Sequence, residues 1–186
     1  MQGSTLEIAE ICPTGKLRVG VVYAPAQTAI FVVLDGSGAP HGVAVDVSIE
    51  LARKIGVPVE FVVAPNTGEA TDAMVSGKID ISFMPVDDER KKRIDFGPAY
   101  VLVDSTYMAT ATSGICKIAE IDRPGVRVVA IAGTVTNRTV SRTLINATVT
   151  AVNSVEDAME MLRTARAEAF ALFRDALPPF VAKLPG

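Results

Sequence analysis

β-Favouring runs alternate with amphipathic segments along nearly the whole chain, and that alternation restricts its architecture more than any other feature. Lys16 to Val22 (KLRVGVV) reads as a strand. Ile30 to Leu34, followed by the turn residues Asp35-Gly36-Ser37-Gly38, reads as part of a hairpin. From Ala44 to Ile55 the apolar Val47, Leu51 and Ile55 recur at helical spacing, while Asp46, Glu50 and Arg53 share another face and Gly56 ends the segment. Val59 to Val63 is a strand, Thr67 to Ser76 a helix closed by Gly77, and Ile79 to Phe83 a further strand. A β-α-β-α-β order calls for a mainly parallel sheet with helices on its faces, because parallel neighbours need a crossover that a helix supplies.

The rhythm restarts after Pro98, with strands expected at Tyr107 to Thr110, Val126 to Ile131, Val149 to Val152 and Ala169 to Phe173. Two helices separate the last three. The clearer one, Val155 to Ala165, lines up Val155, Ala158, Met159 and Leu162 on one stripe and has Ser154 in place to cap its start. The expected organisation is therefore an N-terminal arm (1–15), a first lobe (16–103) and a second lobe (104–186). They are joined by an extended, hinge-like stretch near Tyr100 to Ser105.

Composition removes several function classes. A chain of 186 residues, 49% of them hydrophobic, can bury a substantial core, and a net charge of -3 gives no basic field for nucleic acid. Cys12 and Cys116 lie far apart and outside any CxxC spacing; the two thiols could pair, but with Cys12 in an irregular arm unpaired thiols are expected. A single histidine, His41, cannot build a histidine-based metal cluster, and nothing in the sequence calls for a metal or cofactor. No uncharged apolar run reaches the about 18 residues a membrane helix needs. The start, MQGSTLEIAEICPTG, lacks the basic and apolar regions of a secretory signal.

Ligands of open α/β sheets favour the crevice outside the strand C-termini, and three stretches lie there. In PVDDERKKRIDFGPAY (Pro85 to Tyr100), Asp87 can cap a short helix and put Arg90 in its first turn, with its fork free for a carboxylate; the alternative is a solvated helical face. Gly133 and Thr134 stand between a strand and a helix, where backbone N–H groups and a hydroxyl can grip a carboxylate or simply turn and cap the chain. Strand AFALF runs into Arg174 and Asp175, the latter a counter-charge for an ammonium or else an N-cap before Leu177.

These pieces together resemble the family 3 extracellular solute-binding proteins, the polar amino-acid receptors of ABC importers. The resemblance rests on LRVGV, GVAVDVSIELARKIGVPVEFV, SGKIDISFMPVDDERKKRIDFGPAY, the AGT turn and AFALFRDA, all in family order. It implies a two-lobed α/β fold of the periplasmic-binding-protein type (type II) and a periplasmic or extracellular location. It also implies a binding protein, not an enzyme, with a membrane permease as partner. By position it makes Arg90 the holder of a ligand α-carboxylate, with help from Gly133 and Thr134, and Asp175 the holder of the ammonium. Tyr23 loosely matches an aromatic that stacks on the ligand. Phe83 and Met84 are candidate pocket walls, with a core role as the other reading of Phe83. Asn66 either points into the cleft or serves a turn.

Two departures stand out: Pro85 where relatives carry a hydroxyl or small residue, and Val135 where a second hydroxyl is frequent. The chain also stops where relatives return to complete the first lobe, which would leave apolar surface for assembly of like chains. Two other functions share the scaffold: a cyclohexadienyl or arogenate dehydratase, for which Glu69 or Asp87 would be the available acid, and a ligand-sensing module of a receptor.

Overall fold

The computed structural model describes residues 5–23, 28–64 and 66–184. They form two compact units, Met1–Gly97 and Pro98–Gly186.

In the first unit a short helix, α1 (Thr5–Ile11), precedes strand β1 (Leu17–Val22). The residues expected to form an irregular arm are thus helical in part. Cys12, which follows α1, is 3% exposed and packs with Leu17, Val19 and Val21; burial pushes its thiol pKa up. A two-residue hairpin, β2 (Val33–Leu34) and β3 (Pro40–His41), closes round the expected turn, where the Asp35 carboxylate accepts from the N–H groups of Ser37 and Ala39. Helix α2 (Val43–Ile55), strand β4 (Val59–Ala64), helix α3 (Thr67–Val75), strand β5 (Ile81–Ser82) and a single-turn helix α4 (Asp88–Lys91) follow. The sheet order is β4-β1-β5, all parallel. Five of the six β1 residues are buried, as expected of a central strand covered on both faces.

Two expectations need correction. The stripe Val47–Leu51 of α2 does not face the core: both side chains are exposed, with Val43 and Ile49, and the buried face is Ala44, Val45, Ser48 and Ala52. The helix is apolar on more than one side, and its small residues win the contact because they let the helix lie close to the sheet. Strand β5 is shorter than Ile79–Phe83, and at its start the cause is Asp80. Its N–H donates to the Arg18 carbonyl (2.8 Å), but the Arg18 N–H turns to the Asp80 carboxylate (2.7 Å), so a side chain replaces the next rung of the ladder.

The second unit contains β6 (Ser105–Ala109), β7 (Arg127–Ile131), α5 (Val135–Thr143), β8 (Thr148–Val152), α6 (Val155–Arg163), β9 (Ala169–Phe173) and a short α7 (Pro178–Val181). Its order is β6-β9-β7-β8, with β6 antiparallel to β9 and the remaining pairs parallel. Val155, Ala158, Met159 and Leu162 of α6 are buried as their spacing predicts, and Ser154 caps the helix through the Asp157 N–H. Phe170 is the largest of the fully buried side chains among the described residues.

Both units repeat one βαβαβ module with its first strand central: β4-β1-β5 and β8-β7-β9. They also repeat one strap. Arg18 is held by the Asp80 carboxylate and donates to the Gly77 carbonyl (2.7 Å); Arg127 is held by the Glu168 carboxylate and donates to the Ala165 carbonyl (2.7 Å). Gly77 and Ala165 both end a helix at positive φ, 68° and 52°. Cys12 and Cys116 are both unpaired.

Candidate functional site

At the C-terminal edge of the first sheet, three segments meet: the residue after β1, the start of α3 after β4, and the stretch from β5 to α4. The pairing Val22↔Ala64 places the first two side by side. Asn66 caps α3, accepting the Glu69 N–H at 2.9 Å while its own Nδ2 donates to the Glu69 carboxylate at 3.0 Å. Of the two readings of Asn66, the local one is what its side chain does.

Arg90 is the centre of this edge. Asp87 caps α4 as expected, accepting the Arg90 N–H at 2.9 Å. The Arg90 side chain is not a solvated helical face: it is 5% exposed. Nor is its fork free. Nη1 donates to the Pro85 carbonyl (2.8 Å) and lies 3.2 Å from the Asp87 carboxylate, and Nη2 donates to the Thr67 hydroxyl (2.5 Å). The physical reason is solvation: a guanidinium removed from water needs acceptors on its flanks and an opposite charge nearby. Pro85, expected to offer only its carbonyl, spends that carbonyl on Arg90. Lys91, Lys92 and Arg93, in contrast, make exposed pairs with Asp88, Glu89 and Asp72.

The candidate walls are partly core. Tyr23 and Phe83 are half-buried and pack on the cluster of Leu17, Val19 and Val21. Met84 packs on Val22, Ala64 and Ala70, and its sulfur receives the Thr71 hydroxyl at 3.4 Å. Met84 also lines a groove of about 570 Å³ beside β5, with Met74, Ile81 and Phe96 among its neighbours.

At the matching edge of the second sheet, the β7 exit carries Gly133, with φ of 73°, and Thr134. Thr134 caps α5 through the Asn137 N–H (3.1 Å) and donates to the Ile131 carbonyl (2.7 Å), so its hydroxyl does the turning and capping work. The adjacent β9 exits into a 3-10 turn, Arg174–Ala176, that carries Asp175 exposed. Asp175 lies inside this turn, and the residue at the N-cap of α7 is Leu177, so the capping reading of Asp175 does not hold. The enzyme candidates are engaged as well: Glu69 with Asn66, Asp87 with Arg90.

Three hydroxyls at these edges escaped the sequence reading: Thr67, and the pair Ser105 and Thr136, whose oxygens are 3.0 Å apart. Ser105 sits opposite Phe173 in the β6–β9 ladder, which brings it to the β9 exit. A hydroxyl after a predicted strand end is the available signal, but it is shared with every capping threonine.

The chain belongs to the bacterial extracellular solute-binding proteins, family 3, whose model matches residues 18–179. No curated protein matches the sequence. Among solved structures it is similar to a putative binding component of an ABC transporter from Wolinella succinogenes complexed with lysine, at 25% identity and a TM-score of 0.75, covering 91% of this chain and 73% of that one. A variant of arginine-bound ArgBP from T. maritima matches at 29% identity and 0.74, covering 95% and 81%. The ancestral amino acid-binding protein AncCDT-1, a precursor of cyclohexadienyl dehydratase, matches at 28% identity and 0.73, covering 95% and 78%. Family and fold therefore agree with the mainly parallel α/β architecture. Among the described residues no helix is long and apolar enough to cross a membrane, and no group of three or more His, Cys, Asp or Glu side chains could hold a metal.

Proposed function

We propose that this chain captures an amino acid or a closely related small carboxylate for an ABC importer outside the cytoplasmic membrane. In this reading 16–103 and 104–186 act as the two lobes. Arg90 takes the ligand carboxylate, Gly133 and Thr134 assist, and Asp175 takes the ammonium. The observation that carries it is the buried Arg90, fixed by Pro85, Asp87 and Thr67 at the C-terminal edge of a parallel sheet. That edge is where ligands of open α/β sheets bind, and a guanidinium held there in a fixed plane by these partners suits recognition of an anionic group. The lysine and arginine complexes of similar structures support an amino acid as the ligand class. A permease partner is the corresponding expectation for the family.

A thermal-shift screen of the standard L-amino acids and small organic acids tests the reading, since a ligand that binds only the folded form raises the melting temperature. A rise with one or a few amino acids is expected. A flat response across the panel, or aromatic product formed from prephenate or arogenate, contradicts it; the similarity to a dehydratase precursor makes the second assay worthwhile.

A further inference from the structure

Thr67 reaches the Arg90 guanidinium from a different element of the sheet edge. Its hydroxyl accepts from Arg90 Nη2 at 2.5 Å, a charge-assisted bond from a residue 23 positions away in sequence. Thr67 is itself fixed on three counts. It is the first residue of α3, and the Asn66 cap determines where that helix begins. Its carbonyl accepts the hydroxyl of Thr71 at 2.7 Å, and Thr71 is 2% exposed. The same Thr71 hydroxyl reaches the Met84 sulfur, tying α3 to the stretch that leads from β5 into α4. Pro85 and Asp87 hold the guanidinium from within five residues of Arg90 in sequence, so they move with it. Thr67 ties it to a different element.

We propose that Thr67 is a positioning residue for Arg90, orienting the guanidinium through the Thr67 Oγ1 to Arg90 Nη2 bond so that it discriminates a carboxylate from its neutral amide. The inference rests on the reading that Arg90 receives the ligand carboxylate. A guanidinium offers its donors in one rigid plane, so a rotation of that plane costs a bidentate acceptor its second bond. A carboxamide has a single acceptor oxygen, so it has no second bond to lose and is little affected.

The experiment uses the full chain and titration calorimetry with the tightest-binding of the standard L-amino acids and the carboxamide of that same amino acid. Thr67→Val keeps shape and removes the acceptor; Thr67→Ser restores it. Thr67→Val is expected to lower affinity for the acid about ten-fold, to leave the carboxamide unchanged, and so to collapse the acid-over-amide preference, with Thr67→Ser returning it to within about three-fold. A purely structural role would weaken both ligands together and would not be rescued selectively. Should Thr67→Val fail to fold by circular dichroism, Thr67→Ala is read in its place. An unchanged preference in Thr67→Val, with Arg90→Met abolishing it, overturns the role of Thr67 and leaves the carboxylate reading standing. An unchanged preference in both variants, or no binding by the unaltered chain, overturns the two together.

Discussion

Replacing Asp87 by Asn isolates the charge that accompanies the buried Arg90. Asn caps a helix about as well as Asp and has nearly the same shape, so the bond to the Arg90 N–H survives. What disappears is the carboxylate charge 3.2 Å from Nη1, in a pair whose side chains are 5% and 13% exposed. Removing one member of a buried pair costs about 3–5 kcal/mol, and the low end applies because the Pro85 carbonyl and the Thr67 hydroxyl remain as neutral acceptors. With a urea slope of about 1.5 kcal/mol/M, a loss of about 3 kcal/mol lowers the unfolding midpoint of the first unit by about 2 M. Asp87→Ala should lose a further about 1 kcal/mol with the cap. Urea titrations followed by far-ultraviolet circular dichroism, without ligand, measure both. If Asp87→Asn unfolds within about 0.3 M of the parent, the carboxylate does not compensate the buried charge and the electrostatic account of Arg90 is wrong.

The other predictions concern the frame around the site. Ala165→Gly is expected to stabilise the second unit by about 1 kcal/mol, since an L-residue at φ of 52° is strained where glycine is not; a lower melting temperature would refute it. Phe170→Ala should cost about 3–5 kcal/mol by calorimetry, because the ring is fully buried and its space cannot be refilled. Acidification should weaken the second unit through Glu168, whose carboxyl pKa the Arg127 bond holds down in the folded chain. The unfolded chain then binds the proton more readily, so the stabilisation present at neutral pH is lost as the pH falls through the folded value. Urea midpoints at about pH 7 and about pH 3 should therefore differ less in Glu168→Gln than in the parent.

The fold is most legible in the sequence where one physical demand dominates. Strand β9 has the expected bounds, and the buried stripe of α6 is the one its spacing specifies, because both are enclosed by apolar neighbours. The buried face of α2 is not legible in the sequence, because more than one apolar stripe competes and only packing decides that Ala44, Val45, Ser48 and Ala52 go inside. Nor is the start of β5 legible, since a side chain standing in for a ladder rung leaves no mark on periodicity. At the site, the Asp87 cap was readable from local spacing, as was the short helix carrying Arg90. The acceptor on Arg90 from Thr67 was not, because contacts between residues far apart in sequence depend on how two strand exits are brought together. The same holds for Ser105 and Thr136. For Asn66 and Thr134, the ordinary capping role is the one the side chains perform.

The most direct measurement is a calorimetric comparison of the parent chain with Arg90→Met, using one amino acid whose carboxylate is either intact or amidated. Loss of the carboxylate's advantage in a variant that still folds, by at least about ten-fold in affinity, is the predicted result. A folded variant that binds the intact amino acid as tightly as the parent would contradict the central claim that Arg90 recognises the ligand's anionic group.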